Sequence, residues 1–306
     1  MKFTLGDISL EEYQRYLENS NYKCIFRYPQ FLRAWIEAIP GTSLKFLIGE
    51  GVVIPGVVFK RGPLRAFYSL PYQTFGGPVG SLDSSLTLDF DFSNFSEVAI
   101  DDPEFKILSK GLKPIESVEA IIDLSAGYED VFSRYSSSRR KIIRKIYRNP
   151  PDLIPLDSEK DVETFYPMYR QFAEARNIHV YPKNFFKAVV RNLGRENLFG
   201  YLAFRGSKLV GYILNVFYSG KAFAFSHVWS EKNLSSFLID LSIRHSVESG
   251  LHTYSLGLTS PSMRGILEFK RSFGVNFKPM RTYWKKTIYH NLARNLKTSF
   301  KKWLKF

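Results

Sequence analysis

The sequence predicts an α/β (α+β) chain laid out in two successive halves, each holding strands flanked by helices. Three observations carry this expectation. The chain has 306 residues, about two domains at roughly 150 residues each. Both halves alternate segments of helical period with strand-like runs punctuated by Gly and Pro. The pair Pro150-Pro151 interrupts the pattern midway.

In the first half, residues 8–17 and 29–38 place apolar side chains at helical spacing, and Pro29 stands in the first-turn position that suits proline. The period then changes. Residues 44–48, 52–60 and 64–70 read as consecutive strands, the first two joined at Gly49-Glu50-Gly51. A Pro-, Gly- and aromatic-rich loop runs from Leu70 to Pro78, and short strands follow near 97–100 and 118–124. Residues 128–149 read as one basic connecting helix ended by Pro150-Pro151. In it Arg139, Arg140, Lys141, Arg144, Lys145 and Arg148 put six cations in ten residues with no acid between them. A solvated helix face would account for such a run, but mutual repulsion favours an anionic partner, phosphates foremost.

The second half reads as a strand at 153–156, helices at 161–175 and 183–193, and a meander of strands at 198–204, 209–218 and 222–229. A helix at 234–248 stops at Gly250, a strand covers 253–256, a helix spans 263–273 before Gly274, and a strand lies around 277–284. The order is βααβββαβαβ.

The net charge is +14, and the segment Arg281 to Phe306 supplies eight of these charges with no acid. Within it Ile288, Leu292, Leu296, Phe300, Trp303 and Leu304 recur at helical steps, so 286–306 is expected to be a basic amphipathic helix. Such a helix either docks on its own domain or lies on an anionic membrane surface. The single Cys24 forms no intrachain disulfide and no CxxC zinc site. The five histidines have no HxH or HExxH spacing, so no metal site is expected, and no GxSxG elbow is present. No run of about 18 apolar residues occurs. With an N-terminus lacking a secretory pattern, these features point to a cytoplasmic protein, peripheral at the inner membrane surface if the terminal helix binds it.

The run Gly265-Ile266-Leu267-Glu268-Phe269-Lys270-Arg271-Ser272-Phe273-Gly274, following Tyr254-Ser255-Leu256-Gly257, is similar to the "FK..FG" helix of FemABX-like and BioF2-like acyltransferases of the GNAT superfamily. The helix around Tyr28-Pro29-Gln30-Phe31, the strand pair within 44–60, the Gly76-Gly77-Pro78-Val79 loop and the arginine-rich helix at 138–145 match further landmarks. The resemblance covers most of the chain. It implies two tandem GNAT-like domains, each a central mixed sheet flanked by helices. The boundaries are 1–126 for the first domain, 127–151 for the basic helix, 152–285 for the second domain and 286–306 for the terminal helix.

The same resemblance implies transfer of an acyl or aminoacyl group to an amine, with a cell-envelope or peptidoglycan precursor among the acceptors. No tightly bound cofactor is expected. The donor is a co-substrate, aminoacyl-tRNA or acyl-CoA, and tRNA is thus a candidate partner. In ordinary GNAT enzymes a glycine-rich turn offers backbone N–H groups to the CoA pyrophosphate. Here that place reads Ser230-Glu231-Lys232-Asn233-Leu234-Ser235-Ser236, without glycine, and Gly80 and Ser81 stand where bridge-forming members carry an aspartate.

Aminolysis needs a neutral amine, a stabilised oxyanion and an exit for the leaving group. Lys270 is the first catalytic candidate, as a cation beside the apolar face set by Phe269 and Phe273. His227, ending an apolar strand with Trp229, is the second, as a general base, although a core histidine would read the same way. Candidate substrate-binding residues are Arg139, Arg140 and Arg144 on the basic helix, Tyr72 and Phe75 in the first half, and Tyr254, Phe269 and Arg271 in the second. The rival readings are a non-catalytic nucleic-acid binder and a degenerate acyltransferase fold serving as a membrane-surface module.

Overall fold

A computed structural model describes residues 1–62, 64–71, 74–82, 85–109 and 111–286. In chain order the elements are β1 (Thr4–Gly6), α1 (Leu10–Glu18), α2 (Pro29–Ala38), β2 (Thr42–Gly49), β3 (Val52–Arg61), β4 (Leu64–Tyr68), β5 (Val79–Gly80), β6 (Leu86–Leu88), β7 (Glu97–Asp102), β8 (Ile107–Ser109) and β9 (Lys113–Asp123). They continue with α3 (Tyr128–Arg134), α4 (Ser137–Tyr147), β10 (Asp152–Pro155), α5 (Glu159–Ala175), α6 (Lys183–Asn197), β11 (Leu198–Arg205), β12 (Lys208–Tyr218) and β13 (Lys221–Trp229). The last are α7 (Leu234–Glu248), β14 (Thr253–Thr259), α8 (Arg264–Arg271) and β15 (Asn276–Lys286).

The chain forms two compact units. The first comprises Met1–Tyr22, Pro40–Glu116 and the chain from Met280; the second comprises Lys23–Ile39 and Ser117–Pro279. In the first unit the strands run β1-β2-β3-β4-β7-β15, with β5 added on β3. The β4–β7 pair is parallel and its neighbours antiparallel, so the sheet is mixed. Phe3, Ile54, Val58, Phe67, Val98 and Ile100 share its core. The loop before β5 is fixed by Asp101, whose carboxylate accepts from the Gly76 amide and the Ser69 hydroxyl, each at 3.0 Å. A Cβ on Gly76 would stand 2.5 Å from the Ser69 carbonyl oxygen, so only glycine allows this approach.

In the second unit the order is β9-β14-β13-β12-β11-β10, with β13–β14 parallel and the other pairs antiparallel. Alternation along β12 sends Tyr212 to one face, where its ring stacks on Phe165 of α5 at 4.3 Å, and Ile213 to the other, in one core with Phe237 and Leu238 of α7.

Two sequence expectations change. The domain boundary does not fall at 126. Residues 23–39 join the second unit because α2 packs on α6: Trp35 meets Phe185 at 4.3 Å and Glu37 accepts from Asn192 at 2.9 Å. Strand β15 reaches Lys286 and returns the chain to the first unit, pairing with β7. The expected connecting helix is two helices belonging to the second unit, split where Tyr135 is extended and Ser136 caps α4 by accepting from the Arg139 amide. The amphipathic helix expected at 286–306 falls outside the described residues beyond Lys286, which itself ends a strand.

Candidate active site

Strand β13 is nine residues long but pairs with β14 only through Lys221–Phe223 against Thr253–Ser255. Beyond that the two strands part. Strand β14 stays bonded to β9, through a break in register between Ser255 and Leu258 where Gly257 adopts φ +76°. The edge of β13 from Ala224 to Trp229 thus has no strand partner on the β14 side among the described residues.

Helix α8 delivers Lys270 to this opening. The side chain is 7% exposed, and its Nζ donates to the carbonyl oxygens of Gly257 at 2.8 Å and Leu258 at 3.3 Å. An ammonium has three N–H donors, so one remains for a ligand. Burial drives the Lys270 pKa down to about 8, partly opposed by the charge of Glu119. His227 stands on β13 across the opening, its ring stacked on Trp229 at 5.7 Å. Loss of hydration, reinforced by the Lys270 charge, lowers its pKa to about 4, so the imidazole is neutral at physiological pH. Outward from this pair Trp229 meets Phe172 at 6.2 Å, and the Arg176 guanidinium covers Phe172 at 3.9 Å.

Behind Lys270 lies a buried network that the sequence reading missed. Glu119 of β9 accepts from the Lys221 ammonium at 2.8 Å and the Ser255 hydroxyl at 2.7 Å, and the Gly257 amide donates to Ser255 Oγ at 3.1 Å. It fixes the break in β14 whose carbonyls hold Lys270. The available signal was an acid inside the apolar run Val118 to Ile122.

The other expected site residues scatter. Arg139 braces the fold: it donates to Ser272 Oγ at 2.9 Å and to Ser236 Oγ, and its guanidinium covers Phe269 and Phe273 at 4.5 and 4.7 Å. Arg140 donates to the Ser133 carbonyl at 2.6 Å and to the Tyr135 carbonyl, closing the end of α3. Arg144 is exposed with its guanidinium 5.5 Å from the Phe132 ring. The expectation that Tyr254 lines a pocket is corrected: it is fully buried and donates to Asn215 Oδ1 at 2.6 Å. Phe269 is partly buried against Phe273, and Arg271 is exposed and paired with Glu268. Phe75 is buried in the first unit, and Tyr72 lies outside the described residues. Among the described residues no group of three or more His, Cys, Asp or Glu could hold a metal, and no helix is long and apolar enough to cross a membrane.

No family model and no curated protein matches the chain. Solved structures do. FemX superimposes with a TM-score of 0.60 at 11% identity, covering 91% of this chain and 96% of FemX. The C-terminal domain of a protein described as a lysylphosphatidylglycerol synthetase, from Agrobacterium fabrum, gives 0.54 at 12% identity over 95% of this chain and 97% of that one. A tandem GNAT protein from the clavulanic acid biosynthesis pathway gives 0.54 at 8% identity over 92% and 97%. The chain has the tandem GNAT fold. Within that fold Lys270 sits on the last helix of the second unit, and the opening between β13 and β14 lies beside it.

Proposed function

We propose that the protein is an N-acyltransferase that moves an acyl or aminoacyl group onto an amine. The observation that carries this reading is the pairing of a buried Lys270 ammonium with a neutral His227 at the opening between β13 and β14. The amine nitrogen attacks the donor carbonyl carbon, forming a C–N bond. The imidazole of His227 takes the proton that the nitrogen sheds, and the remaining Lys270 N–H faces the developing oxyanion. As the C–O or C–S bond to the carrier breaks, the His227 imidazolium gives that proton to the departing oxygen or sulfur, so the carrier leaves as its alcohol or thiol and the imidazole is neutral again. The edge of β13 from Ala224 to Trp229, which has no strand partner on the β14 side among the described residues, offers backbone donors and acceptors to an extended, amide-bearing ligand.

For the donor, an aminoacyl ester of tRNA is the favoured reading. The residues before α7 contain no glycine, Asn233 itself takes the left-handed conformation at φ +69°, and Ser236 is occupied by Arg139. That turn makes a poor cradle for a pyrophosphate. The fold shared with a protein named for lysylphosphatidylglycerol, which bears an aminoacyl group, supports the same choice and a cell-envelope acceptor.

Mass spectrometry of amine acceptors incubated with aminoacyl-tRNA or acyl-CoA tests the reading. A covalent adduct that requires Lys270 is the expected result. No adduct with either donor class would leave the fold as a non-catalytic binding module.

A further inference from the structure

The structure sorts the six cations of the basic helix into two groups with different roles. Arg139 and Arg140 are turned into the fold. Lys141, Arg144, Lys145 and Arg148 are all exposed, and none of the four forms an ion pair among the described residues. Their spacing of three and four residues puts them on one face of α4, in a line about 10 Å long at 1.5 Å per residue.

Helix stability explains only part of this line. The dipole of α4 favours Arg144 and Lys145 in its last turn and Arg148 at its C-cap, but it gives no such support to Lys141, and the first turn holds no acid. The pairs Lys141/Lys145 and Arg144/Arg148 are like charges at i,i+4, a repulsive arrangement. Yet the helix is clamped at both ends. Arg139 ties its start to α7 and to Ser272, Tyr147 donates to Asp240 of α7 at 3.0 Å, and Arg205 holds the Asn149 and Pro150 carbonyls, each at 2.8 Å. A rigid scaffold therefore presents four exposed cations whose mutual repulsion a polyanionic partner would relieve.

We propose that this face of α4 binds the phosphate backbone of RNA, a choice of polyanion that rests on the aminoacyl-tRNA reading above. A line of charges on a rigid helix matches consecutive phosphates of a polymer. A membrane surface is the poorer match, because α4 has no fully exposed large apolar side chain to enter the lipid: Ile143 is buried, Ile142 is half-buried, and Ile146 and Tyr147 pack into the core.

The test measures binding of deacylated bulk tRNA to the full-length protein across a range of KCl concentrations, for wild type and for the triple variant Lys141→Gln/Lys145→Gln/Arg148→Gln. Thermal melting confirms that the exposed substitutions leave the fold intact. With about 0.7–0.9 counterions released per phosphate contact, the triple variant should lower the slope of log K against log salt by about 2 and weaken binding at least about tenfold at low salt. Equal tRNA affinity in both proteins, or no tRNA binding by wild type, would overturn the proposal. So would a variant that loses phosphatidylglycerol vesicles but keeps tRNA. The transfer reading fails separately: a lost tRNA affinity with no covalent product in wild type leaves the surface and removes the chemistry, whereas equal product from aminoacyl-tRNA in both proteins does the reverse.

Discussion

Lys270 is anchored to Gly257: its ammonium donates to the Gly257 carbonyl at 2.8 Å, across the break in β14. The relationship depends on both residues. Gly257 holds φ +76°, which aims two consecutive carbonyls at one ammonium, and Lys270 supplies the counter-charge those carbonyl dipoles need when buried. The nearby Glu119 carboxylate helps keep the ammonium charged. A lysine held this way has little freedom, and its third N–H points where the fold leaves it rather than where solvent takes it.

Lys270→Ala is expected to lower turnover at least tenfold, about 1.4 kcal/mol of transition-state stabilisation. The assay is initial rate with whichever donor and amine yield product, alongside circular dichroism to verify folding. Unchanged turnover would remove Lys270 from the chemistry.

The pH dependence follows from the same pair. Turnover should fall in acid as His227, with a pKa of about 4, becomes protonated, and in alkali as Lys270, at about 8, loses its proton. Stability adds a check that needs no substrate. The folded pKa of Lys270 lies below its ordinary 10.5, so between about 8 and 10.5 the unfolded chain binds more protons and stability rises with pH. Urea unfolding of wild type and Lys270→Met across that window should show the rise in wild type and its loss in the variant. Parallel curves would mean that Lys270 titrates normally.

Much of the second unit was legible because its signals are local. The turns Gly206-Ser207 and Ser219-Gly220 between apolar runs mark the β11–β13 meander, and Gly250 and Gly274, at φ +72° and +68°, mark helix ends. What escaped depends on distant partners. Nothing local says that α2 belongs with α6, a pairing made by Trp35 and Phe185, 150 residues apart in the sequence. The charge run at 139–148 was visible, but its division was not, because Arg139 is occupied by Ser236, Phe269 and Ser272 from later in the chain. Tyr254 looked available on an alternating strand until Asn215 of β12 claimed its hydroxyl.

Asp240 of α7 is buried and accepts from the Tyr128 hydroxyl at 2.9 Å and the Tyr147 hydroxyl at 3.0 Å, joining α3 and α4 to α7. Hydrogen bonds to a charged acceptor contribute about 1.5–3 kcal/mol each, and the loss of a shared acceptor strands both donors. Asp240→Ala should therefore destabilise the protein by about 3 kcal/mol and Tyr147→Phe by about 1.5 kcal/mol, read from denaturant midpoints. If the two variants cost the same, Tyr147 alone carries the clamp.

Acetyl-CoA is expected to bind weakly or not at all. A pyrophosphate needs several backbone N–H groups converging at close range, which glycines permit by removing side chains from the approach. Ahead of α7 the chain instead carries Glu231, Lys232 and Asn233, none of them glycine, and Glu231 is paired with Arg205 at 3.6 Å. The first turn of the helix is closed as well, since Leu234, Ser235 and Ser236 are buried and Arg139 donates to Ser236. Isothermal titration calorimetry decides the matter without knowledge of the acceptor. A dissociation constant weaker than about 1 mM, corresponding to less than about 4 kcal/mol of binding, is the expected outcome. A low-micromolar value would mean that another surface holds the pyrophosphate, and acyl-CoA would replace aminoacyl-tRNA as the favoured donor.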